Sequence, residues 1–276
     1  MTIPACPICF NANTHLINKR MILHRCDECR HTFTEISRAE EESYNQAYFL
    51  ETHKQWFENP DYALFERVYD NLGALIKPRF KTLLDVGCGT GNFLKHLSAQ
   101  DDSLNLTGID LIENSDAAIN FIKGDFIAYN STEKFDVLTN FMVIEHVPDP
   151  HAFVQKISQL LHHQGLLVVN TINNNGLMYR IARWLNYFGF TAPHDRLYDH
   201  HHLQHYSTSS LKKLLDMEGF VVNKSEVHNY PMKAVDVPGS NQLLKKVYLL
   251  ITGLIFAVSG PFLLEMHQTL YCSRKV

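Results

Sequence analysis

The chain has 276 residues, 45% of them apolar, and a formal net charge of −4. That length supplies one sizeable α/β core and a small appendage. The lack of a broad basic surplus argues against nucleic acid as the main substrate, and six cysteines are too few for a disulfide-stapled secreted scaffold.

The start, MTIPACPICF, lacks the charged and apolar regions of a secretory signal, so a cytoplasmic location is expected. Cys6 and Cys9 in CPIC, then Cys26 and Cys29 in CDEC, form two C-x-x-C knuckles. Each turn offers two thiolates from one tight loop, and two turns complete the tetrahedron that zinc prefers. The intervening THLINKRMILHRC alternates like a β-hairpin, which brings the knuckles together. Phe10 and Arg30 stand where ribbons often carry glycine, so less relaxed turns are expected there. His24 and His31 could replace a sulfur, but four cysteines need no help. The reading for residues 1–37 is a zinc ribbon with a structural metal.

Residues 38–80 read as a helical linker. Tyr62, Phe65, Tyr69, Leu72 and Ile76 recur at helical spacing after the start signal Asn59-Pro60. Next, LLDVGCGTGNFL gives a short apolar strand from Thr82 to Val86, a turn holding Gly87, Gly89 and Gly91, and a helix from Asn92 to Gln100. Strand, glycine turn and helix open a doubly wound sheet, whose ligand belongs at the carboxyl edge of the strands. Alone, the glycines also fit dinucleotide binding.

Three later stretches add acids. LNLTGID is a second strand ending at Asp110, where a carboxylate can accept two ribose hydroxyls. FIKGDF places Asp125 and Phe126 after a third strand, suited to an adenine amino group and ring. KFDVLTNFMVIEHVPDP carries a fourth strand from Asp136 to Asn140 and a helix start near Asp149. After a fifth strand, GLLVVNTI, an aromatic helix is expected in NNNGLMYRIARWLNYFGF. HLQHYSTSSLKKLLDMEGF then offers Ser207 as an N-cap for the next helix.

The order D-x-G-x-G-x-G, G-I-D, G-D-F and E-H-V-P-D-P resembles class I S-adenosylmethionine-dependent methyltransferases over roughly Thr82 to Val227. The resemblance implies a Rossmann-like, doubly wound, seven-stranded sheet over residues 81–276, with HQTLYCSRKV as the final antiparallel strand. It implies S-adenosyl-L-methionine as cofactor. Asp85 with Gly87, Cys88, Gly89, Thr90 and Gly91 would hold the methionine end, Asp110 the ribose, and Asp125 with Phe126 the adenine. Leu111, Asn140 and Phe141 complete the expected cofactor set. The linker YNQAYFL and the ribbon also resemble small bacterial members of this kind, which mostly modify sugars, lipids or quinone-like molecules. The expected acceptor is therefore a small molecule, a glycan or a lipid-linked compound, with O-methylation favoured. An RNA methyltransferase and a non-catalytic cofactor-binding scaffold stand as alternatives.

Histidine is the natural base near neutral pH. His146 within E-H-V-P-D-P, His202 at the motif position of HLQHYS, His205 beside Tyr206, and Glu145 are the candidate catalytic residues. Related quinone O-methyltransferases carry a metal-binding glutamate three residues before the E-H pair. Met142 stands there, which argues against a catalytic metal. Residues 174–206 are expected to cover the acceptor. Within 243–264, the uncharged VYLLITGLIFAVSGPFLL is a borderline membrane span by length. A return of the final strand to the sheet argues against a true span. The stretch then packs on the core, forms a homodimer face, or lies on a membrane surface.

Overall fold

The computed structural model describes residues 4–35, 54–77, 79–199, 201–237 and 241–275. The linker YNQAYFL lies outside the described residues. In chain order the strands are β1 (Thr14–Asn18), β2 (Leu23–Cys26), β3 (Thr32–Thr34), β4 (Thr82–Val86), β5 (Asn105–Asp110) and β6 (Ile119–Lys123). They continue as β7 (Phe135–Phe141), β8 (Leu161–Ile172), β9 (Gln204–His205), β10 (Phe220–His228) and β11 (His267–Arg274). The helices are α1 (Lys54–Glu58), α2 (Tyr62–Leu75), α3 (Asn92–Gln100), α4 (Pro150–Leu160), α5 (Leu177–Tyr187), α6 (Ala192–Leu197), α7 (Thr208–Met217) and α8 (Gln242–Ser259).

Contacts divide the chain into two compact units of non-contiguous segments. Unit 1 is Met1–Pro60, Ile172–Ser210 and Glu226–Gln268, and unit 2 is Asp61–Thr171, Leu211–Ser225 and Thr269–Val276.

Unit 2 carries the body of a seven-stranded sheet in the order β10-β11-β8-β7-β4-β5-β6. The pairs β4–β5, β4–β7, β5–β6 and β7–β8 are parallel, and β11 takes its place between β10 and β8. Parallel strands covered on both faces need continuous apolar runs rather than alternation. Leu83, Val137 and Val168 supply them, packed with Phe93, Leu94 and Leu97 of α3. The expected α2 forms, but its fully buried stripe is Leu64, Val68 and Leu72, while Tyr62 is exposed. Both stripes are apolar, and the aliphatic one at i, i+4, i+8 fits closer to the sheet than the aromatic one beside it. The N-cap of α2 is Asp61, one residue past the expected Asn59-Pro60 signal; its side chain accepts from the Leu64 N–H. Asp149 caps α4 in the same way through Ala152, with Pro150 in the first turn.

In unit 1, β1, β2, β3 and β9 form a second sheet in that order, antiparallel throughout. The β1–β2 hairpin is the one its alternation predicts. Its third strand pairs with Gln204 and His205, about 170 residues away in sequence. His31, just before β3, lies fully buried with Nε2 3.0 Å from Gln204 Oε1 and Nδ1 3.2 Å from Ser210 Oγ. Burial holds its imidazole down at about 4, so it is a neutral hydrogen-bonding pin. Ser207 Oγ accepts from the Ser210 N–H at 3.2 Å and caps α7. Helix α8 and the 3-10 turn Gly260–Phe262 cover the apolar stretch near the carboxyl end.

Candidate functional site

Strand β4 ends at Val86, and Gly87, Gly89 and Gly91 follow at φ values of 68°, 54° and 73°. A side chain would be strained there. The space is closed as well: a Cβ on Gly87 would sit 2.3 Å from Val143 Cγ2, and one on Gly91 2.5 Å from Phe121 Cζ. Part of what approaches this bare backbone is thus the protein itself. The Gly87 N–H donates to Ile109 O at 2.8 Å, which stitches the loop to β5.

Asp110, the last residue of β5, holds the loop from the other side. Its Oδ2 accepts from the Gly89 N–H at 2.7 Å, and its Oδ1 from the Ile112 N–H at 3.0 Å. Asn114 Nδ2 donates to Gly89 O, so the central glycine is tied at both its amide and its carbonyl. No motif in the sequence marks Asn114. Leu111, next to Asp110, is exposed.

Asp85 is buried within β4 and accepts from Thr139 Oγ1 at 2.7 Å. Burial drives its carboxyl up to about 7; the Thr139 bond opposes this and the charge of Asp110 adds to it. No sequence motif marks Thr139; it is legible only through the β4–β7 register, which sets it opposite Asp85. Asn140, opposite Val86, is fully buried, and its Oδ1 has no hydrogen-bond partner among the described residues. A buried acceptor left open costs free energy and marks a place for a donor. Burial, with the nearby Asp85 and Asp110 carboxylates, pushes the Cys88 thiol far up, so it stays protonated. Thr90 closes the turn before Gly91 and offers its carbonyl to Lys95 Nζ at 2.9 Å.

Beyond β7, Phe141 lies half-buried with its ring 4.8 Å from Phe93 and 6.1 Å from Phe65. Met142 takes the left-handed conformation at φ 55°, which starts a tight 3-10 turn over Ile144–His146. The turn drives Glu145 inward. It is fully buried, takes a 2.8 Å bond from Thr171 Oγ1 on Oε2, and leaves Oε1 without a partner among the described residues. Burial raises its carboxyl to about 7. His146 is half-buried at the same edge. Past β6, Asp125 is exposed and accepts from the Ile127 N–H at 2.9 Å. Phe126 is buried edge-on against Phe153, leaving Ile127 as the exposed apolar side chain beside Asp125. The cofactor set, Glu145 and His146 all fall in unit 2.

His202 and His205 fall in unit 1. His202 is half-buried. His205 is fully buried, with Nε2 3.1 Å from Thr34 Oγ1 and its ring 4.8 Å from Tyr198. Two further histidines of unit 1 went unmarked in the sequence. His267 stacks on Tyr230 at 5.2 Å and meets His228 edge-on at 5.7 Å. Burial, then His228 and His202, hold the His267 imidazole well below its usual range. Nothing in their motifs announces them, because the ends of β10 and β11 bring them together.

The four ribbon thiols have their sulfurs within 4.8 Å of one another, with Cys6–Cys29 and Cys9–Cys26 each at 3.5 Å. Zinc bonds of about 2.3 Å in a tetrahedron place sulfurs roughly 3.8 Å apart, so the set fits that ion. The Ile8 and Cys29 N–H groups point at Cys6 Sγ and Cys26 Sγ, each at 3.5 Å, as a thiolate needs. Phe10 and Arg30 take φ values of 59° and 60°, the conformation that glycine would adopt without strain. His31 is occupied with Gln204 and Ser210 and is no ligand.

A sheet whose five strands β8-β7-β4-β5-β6 run parallel, with a glycine turn after the middle one of these and acids along the carboxyl edge, defines an α/β cofactor-binding domain. Residues 55–225 match the family described as "Methyltransferase domain". The chain belongs to that family. It is 35% identical over 118 residues to a ubiquinone biosynthesis O-methyltransferase of Glaesserella parasuis serovar 5 (strain SH0165), covering 37% of this chain and 49% of the relative. The protein of that name from Neisseria meningitidis serogroup C (strain 053442) is 35% identical over 115 residues, covering 37% and 48%. The chain thus spans about half the length of the curated relatives it matches. Among solved structures, a Burkholderia thailandensis 1,6-didemethyltoxoflavin-N1-methyltransferase, crystallised with its substrate and S-adenosylhomocysteine, superposes at a TM-score of 0.56. It is 12% identical, covering 95% of this chain and 99% of that one. A SAM-dependent methyltransferase from Archaeoglobus fulgidus gives 0.53 at 19% identity, covering 82% and 99%. These two likenesses speak for the fold.

Proposed function

We propose that the chain is an S-adenosylmethionine-dependent methyltransferase that methylates a small-molecule acceptor at oxygen. One observation carries the reading: three adjacent strands carry polar groups at or next to their carboxyl ends, beside one glycine turn. These are buried Asp85 on β4, Asp110 on β5 and Asn140 on β7 with its open acceptor. Asp85 and Asn140 suit the ammonium of an amino-acid moiety. Asp110 retains lone pairs beyond its two backbone bonds, which suits ribose hydroxyls. Asp125, with Phe126 and the exposed Ile127, suits an adenine amino group and ring. Leu111 and Phe141 add apolar walls at the same edge.

When bound, the cofactor supplies a methyl group already activated on a sulfonium. The chain's residues then have to align the acceptor and accept a proton. We assign the proton to His146, with His202 as the second residue to test. The fixed partners of His205 support a structural task for it, and the buried carboxyl of Glu145 supports one of holding the turn that carries His146. The relatives named for O-methylation in ubiquinone biosynthesis support oxygen as the atom methylated. The apolar α8 supports the narrower reading of a lipid-linked or apolar-tailed acceptor.

The test is calorimetric titration with S-adenosylhomocysteine, followed by incubation of the purified protein with methyl-labelled cofactor and a cell extract. Saturable binding and label in the organic-soluble fraction are expected. Failure to bind the cofactor product overturns the reading, and label confined to RNA overturns the acceptor class.

A further inference from the structure

Helix α8 and the 3-10 turn after it, Gln242–Phe262, are long and apolar enough to cross a bilayer, yet only 11% of their most apolar window is buried in the protein. The helix is two-sided. Tyr248, Thr252, Phe256 and Ser259 share one face, which is fastened to unit 1. Arg196 lies over Tyr248 at 5.9 Å and Phe256 packs on Tyr230 at 5.4 Å. Asn229 Nδ2 donates to Ser259 Oγ at 2.9 Å, and its Oδ1 accepts from Met266 N–H at 3.0 Å. The opposite stripe, Leu243, Val247, Leu250, Ile251, Leu254 and Val258, is exposed along the whole helix, with Leu250 at 64% and Leu254 at 59%. A soluble helix carries polar side chains there.

Helix α5 packs against α8 and ends in an exposed aromatic group: Trp184, Tyr187, Phe188 and Phe190, with Tyr187 at 83%. Aromatic rings of this kind settle at the boundary between headgroups and acyl chains. The charges choose among occupants. Residues 241–264 and 177–190 contain Lys245, Lys246, Arg180 and Arg183 and no Asp or Glu, in a chain whose net charge is −4. A second copy of the same face would bring only more cations. An anionic bilayer meets both the apolar stripe and the charge.

We propose that α8 and the aromatic end of α5 dock this chain on an anionic membrane surface, with α8 lying in the interface and not crossing it. The carboxyl end of the helix is held through Asn229, Ser259 and Met266, and β11 begins at His267, so the chain returns at once to the sheet. The inference does not rest on methyl transfer.

Flotation of the full chain with phosphatidylcholine vesicles, and with vesicles containing about one third phosphatidylglycerol, tests it. The protein should float with the anionic vesicles and largely remain behind with the neutral ones, and 0.5 M salt should release it. Leu250→Ser with Leu254→Ser should lower the floated fraction about tenfold while leaving thermal stability unchanged, since both side chains are exposed. Lys245→Glu with Lys246→Glu should do the same for anionic vesicles alone. Wild-type protein left at the bottom with both vesicles overturns the proposal, as does a salt-resistant, detergent-only release that marks a span. A dimer in light scattering that the Leu250→Ser, Leu254→Ser variant turns to monomer, without flotation of the wild type, assigns the face to a second copy instead.

Discussion

Asp110 accepts the backbone N–H of Gly89 at 2.7 Å, so the acid suited to the ribose also holds the glycine turn in place. Its other oxygen takes the Ile112 N–H, and the carboxylate thereby organises the loop on both sides of itself. Asp110→Ala removes those anchors together with the bonds proposed to the cofactor. Charge-assisted hydrogen bonds contribute roughly 1.5–3 kcal/mol each, so the variant should bind S-adenosylhomocysteine at least about 100-fold more weakly. Asp110→Asn, which keeps an acceptor but no charge, should lose less. Calorimetry on the three proteins decides, and affinities within threefold of one another would remove Asp110 from the site.

Asp85 and Glu145 give the protein a pH signature. Both carboxyls are raised to about 7 by burial, from ordinary values of 3.8 and 4.5. Between about pH 4 and 7 these two groups therefore hold more protons in the native chain than in the unfolded one, and their contribution to stability falls as pH rises through that window. Asp85→Asn removes one such group. It should raise the melting temperature at pH 8, where an ionised buried carboxylate costs on the order of 2–4 kcal/mol, raise it less at about pH 5, and change it little at about pH 4 and below. Cofactor affinity should move the other way. A bound ammonium favours ionised Asp85, so wild-type affinity should strengthen from pH 6 to 8, while Asp85→Asn stays weak and flat. A variant that is neither more stable nor weaker at pH 8 would refute this account.

Local signals in the sequence account for much of the frame. The strand Thr82–Val86 and the helix Asn92–Gln100 have the bounds read from the glycine turn between them, because positive φ at Gly87 and Gly91 admits few alternatives. Ser207 and Asp149 cap the helices that their side chains announce. What stayed hidden depends on distant partners. Strand β9 is two residues long and exists because β3 pairs with it. The inward stripe of α2 is Leu64, Val68 and Leu72 because the neighbouring sheet selects among two apolar faces. Thr139 and Asn114 became visible only once register and turn geometry placed them on Asp85 and Gly89. The exposure of α8 is likewise a property of what packs on it, and not of its composition.

The ribbon should bind one zinc per chain, measurable by metal analysis of protein purified without chelator. Cys26→Ser should lower the metal content and the melting temperature. His31→Ala should keep the metal but destabilise by about 1–3 kcal/mol, because Gln204 and Ser210 lose a buried partner. All expected cofactor residues lie in unit 2 and the ribbon in unit 1, so S-adenosylhomocysteine affinity should stay within about twofold in both variants. Loss of cofactor binding in either would show that the metal does more than hold unit 1 together.

The histidines separate by what already engages them. His205 is fully buried between Thr34 and Tyr198, so His205→Ala should act on stability, with a lower melting temperature and a turnover that recovers on cooling. His146 sits half-buried on the turn that Glu145 holds from within, beside the edge that carries Asp85 and Asn140. His146→Ala should therefore depress turnover by about 10²–10⁴-fold, the usual worth of a general base, without weakening the cofactor. His202→Ala should do so only if that residue shares the proton. A pH–rate profile distinguishes a base from a residue that merely shapes the edge, because only removal of the base abolishes the acidic limb. If His146→Ala keeps that limb and His202→Ala loses it, the proton belongs to His202. If both keep it, with wild-type turnover, neither histidine is the base.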